Sequence, residues 1–473
     1  MDSSYDLVVV GGGPAGEKAA VGAAYWGKRV ALVERAPALG GAMAAGAVSS
    51  KTMREAALYL TGFKRRELYD VGLDITPDVV IERLHRRTDE VVAMTVAAAF
   101  ANLDRHGVEI VIGEAVLGPD RSVTVHSADG RPPRVLHAEV LIIAAGSRPA
   151  HPPHVPFDDP DVLDSDAAAH LDRPLRSLVV VGGGAVGCEF ASIFMALGAD
   201  VTLVDSGPRL LPFMDGEIAE ELTTVFRRGG MRIMHNAGHA TAARDADGIR
   251  VDLVTGESLR PEKVIFASGR VGNTEALGLE AAGVATDERG RILVDEHYRT
   301  NVEGIYAAGD VIGPPALASV SIEQARIAAC WAFDLPLKRA ADLVPPFGVY
   351  SVPEAAMAGL TEEAAAAEGI DFAVGRARFG GNTRAAISGA RDGLVKLVFH
   401  AGSHVLLGAH VLGDSATELV HIGQTVLHFG GTVEDFIHST FNVPTMSEAY
   451  KYAAYDGLGN AGQSPGGAHA PIE

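Results

Sequence analysis

Two glycine runs hold the chemistry written most plainly in this chain. Gly11, Gly13 and Gly16 form G-x-G-x-x-G between a short apolar run, residues 6–10, and an alanine-rich stretch of helical composition. A second apolar run, 29–33, leads into Glu34, 18 residues past Gly16. This is the spacing of a site for a dinucleotide pyrophosphate. The first glycine permits a tight turn, the second lets phosphate approach the backbone, and the third lets helix and strand pack closely. Free N–H groups at the helix start face the phosphates, and Glu34 is placed to bind ribose hydroxyls. The pattern recurs about 170 residues later, with a strand at Ser177–Val181, then Gly182, Gly184 and Gly187, and a run 201–204 leading into Asp205. Two such sites imply two dinucleotides. Asp205 suits the free 2′-hydroxyl of NAD and repels the 2′-phosphate of NADP. Arg209 is near enough in sequence to offset part of that repulsion, but is read here as a solvated loop charge.

Other segments must position these sites. Residues 140–146 and 264–269 read as buried strands ending in glycine, which return the chain between domains. Residues 304–310 form another strand, ending in Asp310, which is placed to hydrogen-bond a ribityl chain. A helical excursion spans about 51–106, with Val92, Val96, Phe100 and Leu103 on one face and a stop at Gly107. The length of 473 residues suits two to four domains. A net charge of −20 disfavours nucleic acid and anionic membranes as partners. Only Cys188 and Cys330 are cysteines, which excludes a disulfide scaffold and fits a reducing cytoplasm. The chain enters a strand by about residue 6 with no basic segment and apolar core before it, so no leader is expected, and no apolar run approaches the ~20 residues a membrane helix needs. A soluble cytoplasmic protein without a metal is expected.

At this point the residues resemble a family, the pyridine nucleotide–disulfide oxidoreductases, and within it the transhydrogenase branch. The resemblance rests on Gly-Gly-Gly-Pro-Ala-Gly-Glu at 11–17, Ser-Lys-Thr at 50–52 and Gly-Cys-Glu-Phe-Ala-Ser-Ile-Phe at 187–194. It rests also on Gly-Arg-Val-Gly-Asn-Thr at 269–274, Ala-Gly-Asp-Val-Ile-Gly at 308–313 with Leu-Ala-Ser at 317–319, and Phe-Asn-Val-Pro-Thr-Met-Ser-Glu-Ala-Tyr at 441–450. It implies an α/β fold of two Rossmann-like domains, for FAD and NAD(P), plus a C-terminal α+β interface domain that makes a homodimer. The expected division is 1–150 and 281–345 for FAD, 151–280 for NAD(P), 346–460 for the interface, and a flexible tail at 461–473.

By the resemblance FAD is held by Gly11, Gly13, Pro14, Ala15, Gly16, Glu34, Gly41, Lys51, Gly146, Gly309, Asp310 and Ala318. The second nucleotide, NAD(H) with NADP(H) left open, meets Gly182, Gly184, Ala185, Val186, Gly187, Glu189, Asp205 and Gly269. Lys51 and Glu189 are implied as an ion pair beside flavin N5, and Glu448 as a catalytic group near the dimer seam. The helix after Ala318 is implied to aim N–H groups at the flavin edge that gains negative charge on reduction.

The chain also departs from the family. Residues 38–52 hold no cysteine where the family carries its redox pair. Ala47 matches the second cysteine, and Ala42 or Met43 the first. Val443 replaces the histidine of the His-Pro-Thr motif that serves the partner's active site, while Glu448 remains. Cys188 and Cys330 read as packed core residues, and His438 as a structural residue at a helix end. Asp205 stands against the dual specificity of the transhydrogenase branch. Three functions follow from these residues. One is flavin-mediated hydride transfer between nicotinamide nucleotides. The second is an NADH-dependent quinone or dye reductase with a pocket lined by Ala42, Ala44, Ala45 and Ala47. The third is a flavin-bearing sensor with little turnover.

Overall fold

Strands of this chain are apolar on both faces, as a parallel sheet covered by helices requires. In Ser4–Val10 the side chains of Leu7, Val8 and Val9 are all fully buried. The computed structural model describes residues 4–461, apart from 37, 42, 63–67, 69–76, 172, 339 and 341–343. The chain forms two units. The first comprises Met1–Thr52, Arg86–Ala150 and Gly269–Ala341, and the second Met53–His85, His151–Ser268 and Asp342–Glu473.

In the first unit Ser4–Val10 lies between Val30–Glu34 and Arg134–Ile143, parallel to both. Glu109–Ile112 extends the sheet beyond Val30–Glu34, and Ile305–Ala307 pairs in parallel with the end of Arg134–Ile143. Ser122–His126 and Glu114–Leu117 complete it as an antiparallel flap. The helices Pro14–Tyr25 and Ala318–Ala332 pack together, with Ala19, Ala20, Ala325 and Ala328 fully buried. Small side chains let the two helices approach closely. The excursion contains the helices Ser49–Thr61 and Pro77–Arg105. The second ends two residues before Gly107, where φ is +68°. On its expected face Val92, Val96 and Phe100 are half-buried and Leu103 is fully buried.

The second unit repeats the parallel plan. Its strands run in the order Arg232–Met234, Asp200–Val204, Ser177–Val181, Lys263–Phe266 and Val162–Asp164. The helix Ala185–Ala196 follows the central strand and is buried from Gly187 to its end. A five-stranded antiparallel sheet then forms from Phe347–Val349, Glu354–Gly359, Leu406–Gly413, Leu394–His400 and Phe372–Arg378. The helices Ala416–His428 and Ala449–Asn460 cover it, burying Phe399 and Tyr450 completely. The expected α/β class, with two Rossmann-like folds and a C-terminal α+β domain, is the fold observed. The expected tail lies, from residue 462 on, outside the described residues. Among the described residues no helix is long and apolar enough to cross a membrane.

Candidate active site

The two glycine loops have the same geometry. Gly11 has φ of +108°, and a Cβ there would lie 2.2 Å from the Ala144 carbonyl oxygen. A Cβ on Gly16 would lie 1.8 Å from the Gly11 oxygen, whereas one on Gly13 would meet nothing within 4 Å. In the second loop Gly182 has φ of +118°, and a Cβ there would lie 2.6 Å from the Ala267 oxygen. Gly187 would clash at 1.8 Å with the Gly182 oxygen, and Gly184 again opens onto free space. The outer glycines are therefore fixed by packing. The middle ones leave a cradle that a side chain would fill. Gly13 and Gly184 are also the N-caps of Pro14–Tyr25 and Ala185–Ala196, and neither helix has a side-chain cap. Pro14, Ala15, Ala185 and Val186 form first turns whose N–H groups remain open to an anion. These residues fit a dinucleotide pyrophosphate at each loop.

Each acidic residue braces its loop. Glu34 is buried, and its Oε2 accepts from the Gly12 N–H at 2.7 Å while Oε1 accepts from Ala36 N–H at 3.1 Å. Asp205 Oδ1 accepts from Gly183 N–H at 2.9 Å, and Oδ2 from Gly207 N–H at 3.2 Å. Gly41 sits over the first loop: a Cβ on it would be 3.9 Å from Gly13 Cα, and the Gly40 N–H donates to the Gly12 oxygen at 2.9 Å.

Asp310 is held in the first unit by partners that sequence reading missed. Ser147 Oγ donates to its Oδ2 at 2.5 Å, and Arg270 Nε donates to Ser147 Oγ at 2.8 Å. Gly309 N–H donates to the buried Gln324 side chain at 2.8 Å. The Gly146 oxygen accepts from Asn273 N–H, and the Gly269 oxygen from Ala150 N–H, both at 2.9 Å. Ala318 opens its helix after Leu317, again without a side-chain cap.

Lys51 stands in the first turn of Ser49–Thr61, with Nζ 3.4 Å from Ser50 Oγ, in the first unit. Glu189 is buried in the second, where its Oε1 accepts from the Tyr350 N–H at 2.9 Å. Beside it Val352 N–H donates to Ser192 Oγ at 3.0 Å. Tyr350, 161 residues away, thus fixes the Glu189 carboxylate. Glu448 accepts from Thr445 N–H at 3.2 Å and closes a capping turn. His438 is an exposed helix end, and Val443 is 75% exposed.

Where the family carries its thiols, Met43–Val48 form a π-helical turn with Ala44 buried and Ala47 half-buried. Ser49 and Ser50 hydroxyls donate to the Ala44 and Ala47 oxygens at 2.9 and 3.3 Å. Ala42 and the Ala45 side chain lie outside the described residues. Cys188 and Cys330 are both buried, and neither forms a disulfide. Burial, followed by the charges of Asp205 and Glu189, pushes the Cys188 thiol far above its usual value. Neither cysteine is a redox carrier in this setting.

Arg209 corrects an expectation. It is not a solvated loop charge. Its guanidinium pairs with Glu363 at 2.9 Å and donates to the Pro212 and Met214 oxygens at 3.2 and 3.1 Å. The loop after Asp205 turns this side chain toward the C-terminal domain, where a carboxylate and two carbonyls satisfy it. Beyond Arg209 lies Lys396, also missed, whose Nζ contacts Asp215, Glu217 and Glu362 at 2.8, 3.1 and 2.7 Å. A lysine in the apolar strand Leu394–His400 was the signal available for it.

Comparison with known proteins matches these features. The family model described as pyridine nucleotide-disulphide oxidoreductase matches residues 5–325, and that of its dimerisation domain matches 345–454. A protein of Mycobacterium bovis BCG named soluble pyridine nucleotide transhydrogenase is 41% identical over 96% of this chain and 97% of its own length. One of Marinomonas with the same name is 38% identical over 96% and 98%. Among solved structures, the HOCl-induced flavoprotein disulfide reductase RclA of Escherichia coli superposes with a TM-score of 0.86. It is 29% identical, covering 95% of this chain and 99% of that one. LpdA of Mycobacterium tuberculosis gives 0.87 at 28% identity, covering 95% and 98%.

Proposed function

The chain belongs to the pyridine nucleotide-disulphide oxidoreductase family and is a flavin-dependent pyridine nucleotide oxidoreductase; we propose that it passes hydride from one nicotinamide nucleotide to another. One observation carries this reading. Two dinucleotide cradles of matching geometry occur in a chain whose redox segment has no thiol and whose two cysteines are buried. The names of the relatives support it.

Bound FAD supplies a ring that accepts and returns hydride. The chain supplies position and charge. Gly13 and Gly41 receive its pyrophosphate, Glu34 its ribose, and Asp310, oriented by Ser147, its ribityl hydroxyls. Gly184 and its helix receive the second nucleotide's phosphates, and Asp205 its ribose. Lys51 is assigned a charged role toward the reacting ring, and so is Glu189, whose carboxylate the Tyr350 N–H holds in place. The first turn from Ala318 directs N–H dipoles at the ring edge that becomes anionic. The C-terminal domain joins two copies of the chain, and Glu448 stands near that seam. The second site takes NAD(H) and, at lower preference, NADP(H). Two buried cysteines that form no disulfide support a cytoplasmic residence.

The test is steady-state transfer from NADPH to thio-NAD, with a quinone as competing acceptor. Fast nucleotide-to-nucleotide transfer is expected. Reduction of quinone alone, from NADH alone, would overturn the reading and favour a quinone reductase built on Ala44 and Ala47.

A further inference from the structure

The loop 205–215 carries more than Asp205. Gly183 lies between Gly182 and Gly184 of the second cradle, and this loop takes both of its backbone groups. Its N–H donates to Asp205 Oδ1 at 2.9 Å, and its carbonyl oxygen accepts from the Leu211 N–H at 2.8 Å. In a trans peptide the carbonyl and the following N–H point in opposite directions. Leu211 therefore turns the Gly184 N–H away from itself and sets the plane of the peptide at the middle of the cradle.

The first loop is built the same way. Glu34 Oε2 accepts from the Gly12 N–H at 2.7 Å, and the Gly12 oxygen accepts from the Gly40 N–H at 2.9 Å. In both loops the donor to that carbonyl lies 28 residues beyond it. A leucine packs under each: a Cβ on Gly12 would lie 2.5 Å from Leu39 Cδ2, and one on Gly183 2.8 Å from Leu210 Cδ2. The two latches differ in one respect. Gly40 has φ of +103°, open to glycine, whereas Leu211 has φ of +47°. That conformation is disfavoured for leucine, and again for a residue before proline, which Pro212 pushes toward extended backbone.

Such a conformation persists only where its surroundings over-determine it. Leu211 is fully buried, and the Met214 N–H donates to its oxygen at 2.9 Å. The Arg209 guanidinium spans the turn, donating to the Pro212 and Met214 oxygens at 3.2 and 3.1 Å and to Glu363 at 2.9 Å. Glu363 Oε1 accepts also from the Gly216 N–H at 2.8 Å, so one carboxylate of the C-terminal domain grips both sides of the turn. Phe213 packs on Phe347 of the same domain, with ring centroids 4.5 Å apart.

We propose that Arg209 is a positioning residue for the second nucleotide: tied to Glu363, it holds Leu211 in its strained conformation and so aims the Gly183–Gly184 peptide at the pyrophosphate. The proposal rests on the assignment of this loop to a dinucleotide and is independent of the electron acceptor. The first loop needs no such brace, because its latch residue is a glycine.

The experiment compares ADP-ribose with adenosine as inhibitors of NADH oxidation by the holoenzyme. Only the first carries a pyrophosphate, and the readout is the ratio of their inhibition constants. In Arg209→Gln the constant for ADP-ribose should rise about fivefold relative to that for adenosine, the equivalent of about one hydrogen bond. KM for NADH should rise while kcat stays unchanged, the pattern of lost uniform binding. Glu363→Gln should shift the ratio likewise, and the double variant should be no worse than either single one, since both act on one latch. Arg378→Gln breaks a pair with Glu221 in the same unit, 2.7 Å long, and should leave the ratio unchanged. An unchanged ratio in Arg209→Gln would overturn the proposal, as would equal weakening of both ligands or the same shift in Arg378→Gln. A wild type that bound ADP-ribose no more tightly than adenosine would refute the assignment of the loop itself, and the latch with it.

Discussion

Replacing Lys396 by methionine should destabilise the second unit by about 3 kcal/mol. The lysine is 1% exposed and its principal partner, Asp215, is fully buried. Removing one member of a buried ion pair leaves an uncompensated charge, a loss of roughly 3–5 kcal/mol. The lower end applies here. Glu217 and Glu362 keep a second cation, Arg376, at 2.8 and 3.6 Å. Asp215 keeps N–H donors from Glu217, Ile218 and Glu362 at 3.1, 3.4 and 3.2 Å. Only one carboxylate is left without a cation. At roughly 2–4 °C per kcal/mol for a body of this size, the melting temperature falls by about 6 °C or more. Calorimetry is the suitable assay, because both tryptophans, Trp26 and Trp331, lie in the first unit. Lys396→Met/Asp215→Ser removes the orphaned charge and keeps a side chain able to cap Gly216–Arg228. It should recover most of the loss. A single variant melting within about 1 °C of wild type, or a double variant no better than the single, would refute the argument.

The same pair sets a pH dependence. Burial pushes the Asp215 carboxyl up, but the charges of His410 and then Lys396, the Lys396 hydrogen bond and the Glu362 N–H bring it below its ordinary value of 3.8. His410, buried and held below its usual value, is neutral near pH 7 and leaves Lys396 as the facing cation. Burial pulls Lys396 down, but Asp215 and Glu362 more than restore it, above its ordinary 10.5. A depressed carboxyl stabilises the fold above its unfolded pKa and loses that contribution as pH falls through the folded one. A raised lysine stabilises below its unfolded pKa and loses that contribution as pH rises through the folded one. The pair's contribution to wild-type stability should therefore be flat between these limits and shrink below 3.8 and above 10.5. In Lys396→Met the orphaned Asp215 carboxylate favours its neutral form, so the difference between the two proteins should begin to shrink above 3.8; a difference unchanged down to 3.8 would assign the coupling to another group.

Three further outcomes follow from local geometry. Gly184→Ala should fold and keep flavin while binding nicotinamide nucleotide about tenfold or more weakly, since its Cβ fills only the cradle; Gly187→Ala should impair folding, because its Cβ meets the Gly182 oxygen at 1.8 Å. Native protein should not react with a thiol-specific disulfide reagent and should retain activity after alkylation, with both cysteines appearing only in denaturant; rapid native labelling would contradict the burial of Cys188 and Cys330. Asp310→Asn turns an acceptor-only side chain against Ser147, and FAD affinity measured by ultrafiltration should fall about tenfold.

Much of the fold was legible because its signals are local. Glycines at fixed offsets and buried apolar runs set a strand, turn and helix within some 25 residues, and both loops matched their expected backbone. Glu34 and Asp205 belong to the same local pattern, each accepting from N–H groups of its own loop. The partners that orient the candidate site were not. Tyr350 reaches Glu189 across 161 residues, Ser147 reaches Asp310 across 163, and Glu363 takes Arg209 across 154. No spacing rule encodes such pairs, since they form only when separate layers pack. Arg209 shows the resulting error: beside Asp205 in sequence, it is turned by tertiary contacts toward another domain.

The missing thiols and the missing histidine are best understood together. A redox disulfide beside a flavin stores a second pair of electrons, and the partner histidine manages the proton of the departing thiolate. With Ala47 and the turn Met43–Val48 in that position, no second store exists. Val443 then removes a group that would have no thiolate to serve. The electrons must therefore leave from the flavin they entered, and the acceptor must reach that same ring. Nucleotide-to-nucleotide transfer satisfies this with one site used twice, which requires that site to tolerate both forms of the ribose.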